Sequence, residues 1–220
     1  MASNKIHILF SVDTQDIYDW LEAGEGEKVD FKHSITSIPK IAKAIVSFAN
    51  HKGGVLLVGV KDNGKPIKIN TQEEVYMLEA AIDKCKPEVE FSISEHQIDG
   101  KTILCMLVNE GKKKPYLCLD EDKKWLAYVR RNDSNVLANW VWLQVEKNHF
   151  HKNDIKLEYH GIDESVIKYL KENPGVTQRE ISKSLGINFR KVGNVLVKLV
   201  GMGVVNLDLS KQGAFYSMNV

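Results

Sequence analysis

The residues Val55-Leu56-Leu57-Val58-Gly59-Val60 run apolar without alternation, directly behind Gly53-Gly54. In an extended segment successive side chains point to opposite faces, so a strand with this pattern is covered on both faces and lies centrally in a sheet. The segment before it has a different period. Ile38 to Asn50 repeats apolar residues at Ile41, Ala44, Ile45 and Phe48, an amphipathic helix with Pro39 in its first turn. His51-Lys52-Gly53-Gly54 stops it.

The same reading places the neighbouring elements. Thr14 to Leu21 reads as a short helix capped by Asp13 or Thr14 and broken by Gly24-Glu25-Gly26-Glu27. Lys28 to Lys32 alternates as a strand. Asp62-Asn63-Gly64 is a turn, and Glu73 to Cys85 is helical. Val89 to Ile98 and Thr102 to Asn109 form a hairpin across Asp99-Gly100. Trp125 to Arg130 reads as a last strand and Val136 to Val145 as a helix. The order mixes types, so residues 1–150 are expected to form an α+β domain on a mixed sheet. Residues 151–160 are expected to be a polar linker. His149 and His151 lie by that stretch, but no Cys or His at ligand spacing accompanies them, so a solvated segment is preferred to a metal site.

Composition excludes several classes. The chain has 220 residues, 43% hydrophobic and 27% charged, with formal net charge +1. No apolar run approaches the ~18 residues of a membrane-spanning helix, and the first ten residues lack a cleavage signal, so a cytoplasmic protein without membrane partners is expected. Cys85, Cys105 and Cys118 show neither paired metal-site spacing nor the density of a disulfide scaffold. Cys105, inside Ile103 to Val108, is expected to be a small core residue. Charge is uneven: residues 161–220 carry eight basic against five acidic side chains.

That basic segment, residues 161–220, has its own pattern. A helix from Asp163 ends before Asn173-Pro174-Gly175. Thr177-Gln178-Arg179-Glu180 is a capping box opening a second, short helix that stops at Gly186. Asn188 caps a third helix with an apolar stripe of Phe189, Val192, Leu196 and Leu199. Val204 to Leu209 and Ala214 to Val220 then form a hairpin around Ser210 to Gly213. This small domain resembles the winged helix-turn-helix of bacterial transcription regulators. The resemblance implies nucleic-acid contacts from Arg190, Lys191, Asn194 and Lys198 on the third helix. Thr177 and Gln178 would contribute at the start of the second, and Lys211 at the wing tip. Arg and Asn match guanine and adenine edges in the major groove, while Lys and helix N-termini hold phosphate. The alternative role for such a domain is protein interaction.

A second resemblance rests on Glu25-x4-Asp30-Phe31-Lys32, Phe48-Ala49-Asn50, and Gly53-Gly54 through Val60. To these are added the lysines before Pro115 and Tyr128-Val129-Arg130-Arg131-Asn132-Asp133-Ser134-Asn135. In this order and spacing, residues 10 to 150 resemble the Schlafen AlbA_2 domain. Lys32, Lys112, Lys113, Lys114, Arg130 and Arg131 would then line a groove that neutralises phosphates, the alternative being a solvated face. Schlafen ribonucleases place three acids at positions that match Glu25, Asp30 and Asp62. The resemblance implies that these would hold Mg²⁺ or Mn²⁺ in a nuclease, with Lys32 assisting. Those ribonucleases carry two related halves and this chain one, so a homodimer is expected. Gly64-Lys65 lacks the rest of a phosphate loop, which argues against an ATPase of that type.

Two functions from different classes therefore stand open. One is a DNA-binding transcriptional regulator without a certain cofactor, with DNA preferred to RNA as partner. The other is a metal-dependent nuclease using Glu25, Asp30, Asp62 and Lys32. An interaction module in a defence or stress system is a third.

Overall fold

The computed structural model describes residues 12–148 and 161–219. The expectations for residues 1–10 and for the linker with His149 and His151 lie outside them. The chain divides into two compact units, Met1–Val136 and Leu137–Val220, and the fold is the mixed α and β architecture expected.

The first unit begins with α1 (Thr14–Ala23), whose N-cap Asp13 exchanges hydrogen bonds with Asp16 in a capping box. Then come β1 (Val29–Lys32), α2 (Ile38–Ala49), β2 (Gly54–Val58), α3 (Thr71–Ile82) and β3 (Cys85–Lys86). The hairpin strands β4 (Phe91–Ile98) and β5 (Lys101–Val108) turn at Asp99-Gly100 as expected. Short strands β6 (Leu117–Leu119), β7 (Trp125–Leu126), β8 (Tyr128–Arg131) and β9 (Ser134–Leu137) complete it. The single strand expected from Trp125 to Arg130 is in fact two: β7 pairs with β6, whereas β8 pairs with β9.

The main sheet has the order β1-β2-β5-β4, parallel between β1 and β2 and antiparallel elsewhere. Its centre is β2, and the sequence pattern explains why. Leu56 and Val58 pack with Ile41, Ile45 and Phe48 of α2 and Leu78 of α3. Val55 and Leu57 point the other way, into a cluster with Ile17 of α1, Val29, Phe31 and Cys105. All of β2 is buried, and each such side chain contributes about 1.5–3 kcal/mol relative to exposure. Cys105 is a core residue, its thiol pushed up to about 12 by burial.

The second unit opens with α4 (Trp140–Asn148), then α5 (Ile162–Glu172), β10 (Val176–Thr177), α6 (Gln178–Leu185), α7 (Phe189–Gly201), β11 (Val205–Ser210) and β12 (Gly213–Met218). A three-stranded sheet of order β10-β12-β11 forms the wing, with Val205, Leu207, Leu209 and Tyr216 buried. Strand β10 escaped the sequence reading because two residues are too few to show a period. Helix α4 packs on α7 within this unit, with Val141 and Trp142 buried. Among the described residues no helix is long and apolar enough to cross a membrane.

The start of β2 is unusually tight. A Cβ at Gly54 would stand 2.2 Å from the ring of the fully buried Phe48. Gly54→Ala is therefore expected to destabilise the first unit by about 1–3 kcal/mol through overpacking, read from the urea midpoint. An unchanged midpoint would mean that Phe48 does not sit over this residue.

Candidate nucleic-acid interface

The surface of the winged helix is set by its caps. Thr177 Oγ1 accepts from the Glu180 N–H at 3.3 Å, and Glu180 Oε2 accepts from the Thr177 N–H at 2.7 Å. That backbone bond holds the Glu180 carboxyl below its usual range. The left-handed Gly186 ends α6, and Asn188 Oδ1 caps α7 by accepting from the Arg190 N–H at 2.9 Å. Val192, Val195, Leu196 and Leu199 are buried on the inner face of α7.

The outer face divides into free and engaged groups. Arg190, Lys191 and Asn194 are exposed, and with Lys198 they fall within about a 100° arc of the helix. Lys198 is partly engaged, its Nζ 3.4 Å from Asp163. Gln178 donates to the Phe189 carbonyl at 2.9 Å, tying the starts of α6 and α7 together. Thr177 is occupied by its cap. Lys211 is exposed at the turn between β11 and β12. Phe189 departs from the expected apolar stripe: it is 52% exposed. As the first residue of α7 it precedes the turn that packs inward.

In the first unit the expected groove residues separate. Arg130 is fully buried and is a structural ion, which corrects its place among the phosphate contacts. Its guanidinium donates to the carbonyls of Gly26 (2.9 and 3.1 Å) and Val29 (3.0 Å), to Asn135 Oδ1 (3.0 Å) and to Asp30 Oδ1 (3.2 Å). It also lies 4.9 Å over the Phe48 ring. Lys112 is exposed with Nζ 3.6 Å from Glu90, and Lys113 is exposed. Lys114 is drawn in to the His51 carbonyl (2.9 Å) and Glu110 (2.8 Å).

Arg131 and Lys52 act electrostatically on Glu27 and His51, which meet at 2.7 Å at the end of α2. That contact holds the Glu27 carboxyl below its usual range. For His51 burial outweighs the same contact, and its imidazole is shifted down. The basic groups that come together here are thus Lys52, Lys114, Arg131 and His51; the sequence reading did not include Lys52.

The candidate metal ligands do not assemble as a set of three. Glu25 accepts from the Phe31 N–H at 2.8 Å. Its carboxyl is shifted up, mainly by partial desolvation and also by Asp30 beside it. Asp30 is buried, one oxygen 3.2 Å from Arg130 and the other 2.6 Å from the Lys32 ammonium. Two cations flank this carboxylate, yet among the described residues its buried Oδ2 accepts no hydrogen bond, because the Lys32 ammonium donates to the Phe31 carbonyl at 2.7 Å. Asp62 is exposed and lines a different hollow, with His33, Lys61 and Asn63. Among the described residues no three His, Cys, Asp or Glu side chains are placed to hold a metal ion. Glu25 and Asp30 lie side by side, and Asp62 stands apart from them.

Comparison with known proteins agrees with both halves of this description. The family model for Schlafen, AlbA_2 matches residues 25–139, and that for winged helix-turn-helix DNA-binding matches residues 160–205. The chain belongs to the Schlafen AlbA_2 family, here joined to a winged helix-turn-helix. The two domains mark a nucleic-acid-binding protein. No curated protein matches the chain.

Among solved structures, the DIP2311 protein from Corynebacterium diphtheriae is 13% identical with a TM-score of 0.41. The match covers 86% of this chain and 34% of that one, so the chain spans about a third of its length. The N-terminal domain of a RecG-related protein from Nitrosomonas europaea is 18% identical with a TM-score of 0.38, over 66% of this chain and 95% of that one.

Removing the buried guanidinium is a direct test of the Arg130 assignment. Arg130→Ala removes the donor to Asp30 Oδ1 and to the Gly26 carbonyl and one of two donors to the Val29 carbonyl, and is expected to cost about 3–5 kcal/mol in urea unfolding. A loss below about 1 kcal/mol would show that the side chain is not locked in this network.

Proposed function

We propose that the chain is a DNA-binding transcriptional regulator whose winged helix presents the N-terminal half of α7 to the major groove. The observation that carries this is the cluster of Arg190, Lys191 and Asn194, exposed on one arc of a helix whose opposite arc is core. Among the described residues neither cation has a carboxylate partner, so each retains its capacity for a base edge or phosphate. The family description of residues 160–205 as a DNA-binding winged helix supports the same reading. Lys211 supplies a phosphate contact from the wing, and Lys198 a weaker one, because Asp163 already partly neutralises it. The AlbA_2 unit adds a second basic patch around Lys52 and Arg131. Duplex DNA is preferred to RNA because groove-reading residue types sit on a helix, the shape the major groove of B-form DNA admits and the deep RNA groove does not.

The decisive measurement is fluorescence anisotropy with labelled duplexes across a salt series. The double variant Arg190→Ala, Lys191→Ala is expected to bind about tenfold or more weakly. Its slope of log affinity against log salt should flatten by about one to two units. Wild-type affinity in the double variant would remove α7 from the interface.

The same samples, incubated with tRNA and single-stranded DNA in Mn²⁺ or EDTA, address the nuclease alternative. Intact substrate in both conditions is expected, given the engagement of Asp30 by Arg130 and Lys32. Cleavage that needs Mn²⁺ and disappears in Glu25→Gln would replace the regulator reading.

A further inference from the structure

The second unit holds a cavity of about 460 Å³ where α4, α6, α7 and β12 meet. That volume falls within the ~300–1,000 Å³ of small-molecule sites. Its walls are mostly apolar, and two of them are aromatic side chains left half in solvent: Trp140 is 46% and Phe189 52% exposed. Its charged lining is Arg179 and Arg190, with no acid among the residues that form it. Trp140, one of its two aromatic walls, lies outside both matched family segments, whereas Phe189 and both arginines lie within the winged-helix match.

The walls are fixed by hydrogen bonds. Asn139 Oδ1 accepts from the Trp142 N–H at 2.9 Å, and its amide donates to the Tyr216 hydroxyl at 2.8 Å. That one residue ties the start of α4 to the floor of the cavity, where Tyr216 is fully buried. Gln178 ties α6 to α7 as described. At Gly193 a Cβ would stand 3.1 Å from the Trp140 ring and 2.7 Å from Gln178 Nε2, so its missing side chain leaves room for the indole. The frame that carries these side chains is preorganised, which lowers the ordering cost of binding.

Its chemistry selects the occupant. Inorganic phosphate would use the arginines and leave the aromatic walls wet; a neutral apolar ligand would leave two cations unanswered. A planar heterocycle joined to a phosphate uses both, by stacking on an aromatic face and pairing with a guanidinium. A base inside a duplex offers only its edges, because its faces are already stacked. We propose that this cavity binds one nucleotide unit outside a duplex stack, its base on Trp140 or Phe189 and its phosphate on Arg179 and Arg190. The unit comes either from a free mononucleotide or from a single-stranded end or overhang. The inference deepens the DNA-binding reading and shares Arg190 with it.

The test uses the full chain with three probes: AMP, a short single-stranded oligothymidylate and a blunt-ended duplex. The exposed Phe189 can be truncated without opening the core. Phe189→Ala is expected to weaken the single strand about tenfold or more, in line with the loss of one stacked base, and to leave the blunt duplex within about twofold. The Trp140 indole N–H resonance, assigned with Trp140→Phe, should shift on saturation. If AMP binds with the same Phe189 dependence, free nucleotide is a source; if only the oligonucleotide does, the strand is the source.

Unchanged single-strand and AMP affinities in Phe189→Ala would overturn the inference, as would an equal loss on the blunt duplex. Wild-type protein that binds only the duplex would overturn it while leaving the regulator reading intact. Phe189-dependent single-strand binding without duplex binding would uphold it and remove that reading.

Discussion

A single buried guanidinium holds together the corner of the first unit where its most informative residues lie. Arg130 reaches from β8 to the loop before β1, to the Asp30 carboxylate and to Asn135 of β9, while its plane covers Phe48. Asn135 in turn accepts from Ser47 of α2 at 2.6 Å. An isolated charge at this depth would be prohibitively costly. The planar fork of arginine makes it tolerable, because several acceptors are met at once in fixed directions. Lysine, a point charge on a flexible stem, has no equivalent geometry. Loop, strand and hairpin are thereby pinned to α2, and Asp30 and Lys32 take their positions from that arrangement.

The same network decides what the carboxylates can do. Two acids close together ordinarily invite a cation, and at Asp30 the protein's own side chains supply it twice. What remains of the Glu25, Asp30 and Lys32 group is an internally neutralised cluster, with Glu25 favouring the protonated form more than a free carboxyl does. At the end of α2, Arg131, adjacent in sequence to Arg130 but only half-buried, accompanies Lys52 and Lys114 in a mixed cluster with Glu27 and Glu110.

Most elements were legible in the sequence because their signals are local. The unbroken apolar run identified β2 as central, and the capping boxes at Asp13 and Thr177 marked helix starts through backbone amides three residues away. The motif order from Glu25 to Asn135 revealed the AlbA_2 unit. Signals that depend on long-range partners were not legible. Arg130 and Arg131 are identical letters in one strand, and only the pleat and the position of Phe48 send the first inward. Phe189 reads as core by type, yet it begins its helix before the inward-facing turn. Helix α4 was recognised as a helix about three residues early. Its packing on α7 had no local signature beyond two tryptophans.

Gly193 in the middle of α7 bears on how the winged helix can vary. Glycine is a poor helix former, about 1 kcal/mol worse than alanine at such a position. Selection for a stiffer α7 alone would replace it. Any side chain there, however, would crowd Trp140 and the amide of Gln178. The residue therefore couples two properties that otherwise vary independently, the rigidity of α7 and the openness of the hollow beside it. A relative that has exchanged this glycine for alanine would gain helix stability at the expense of the Gln178 tie and of the close seat of the indole.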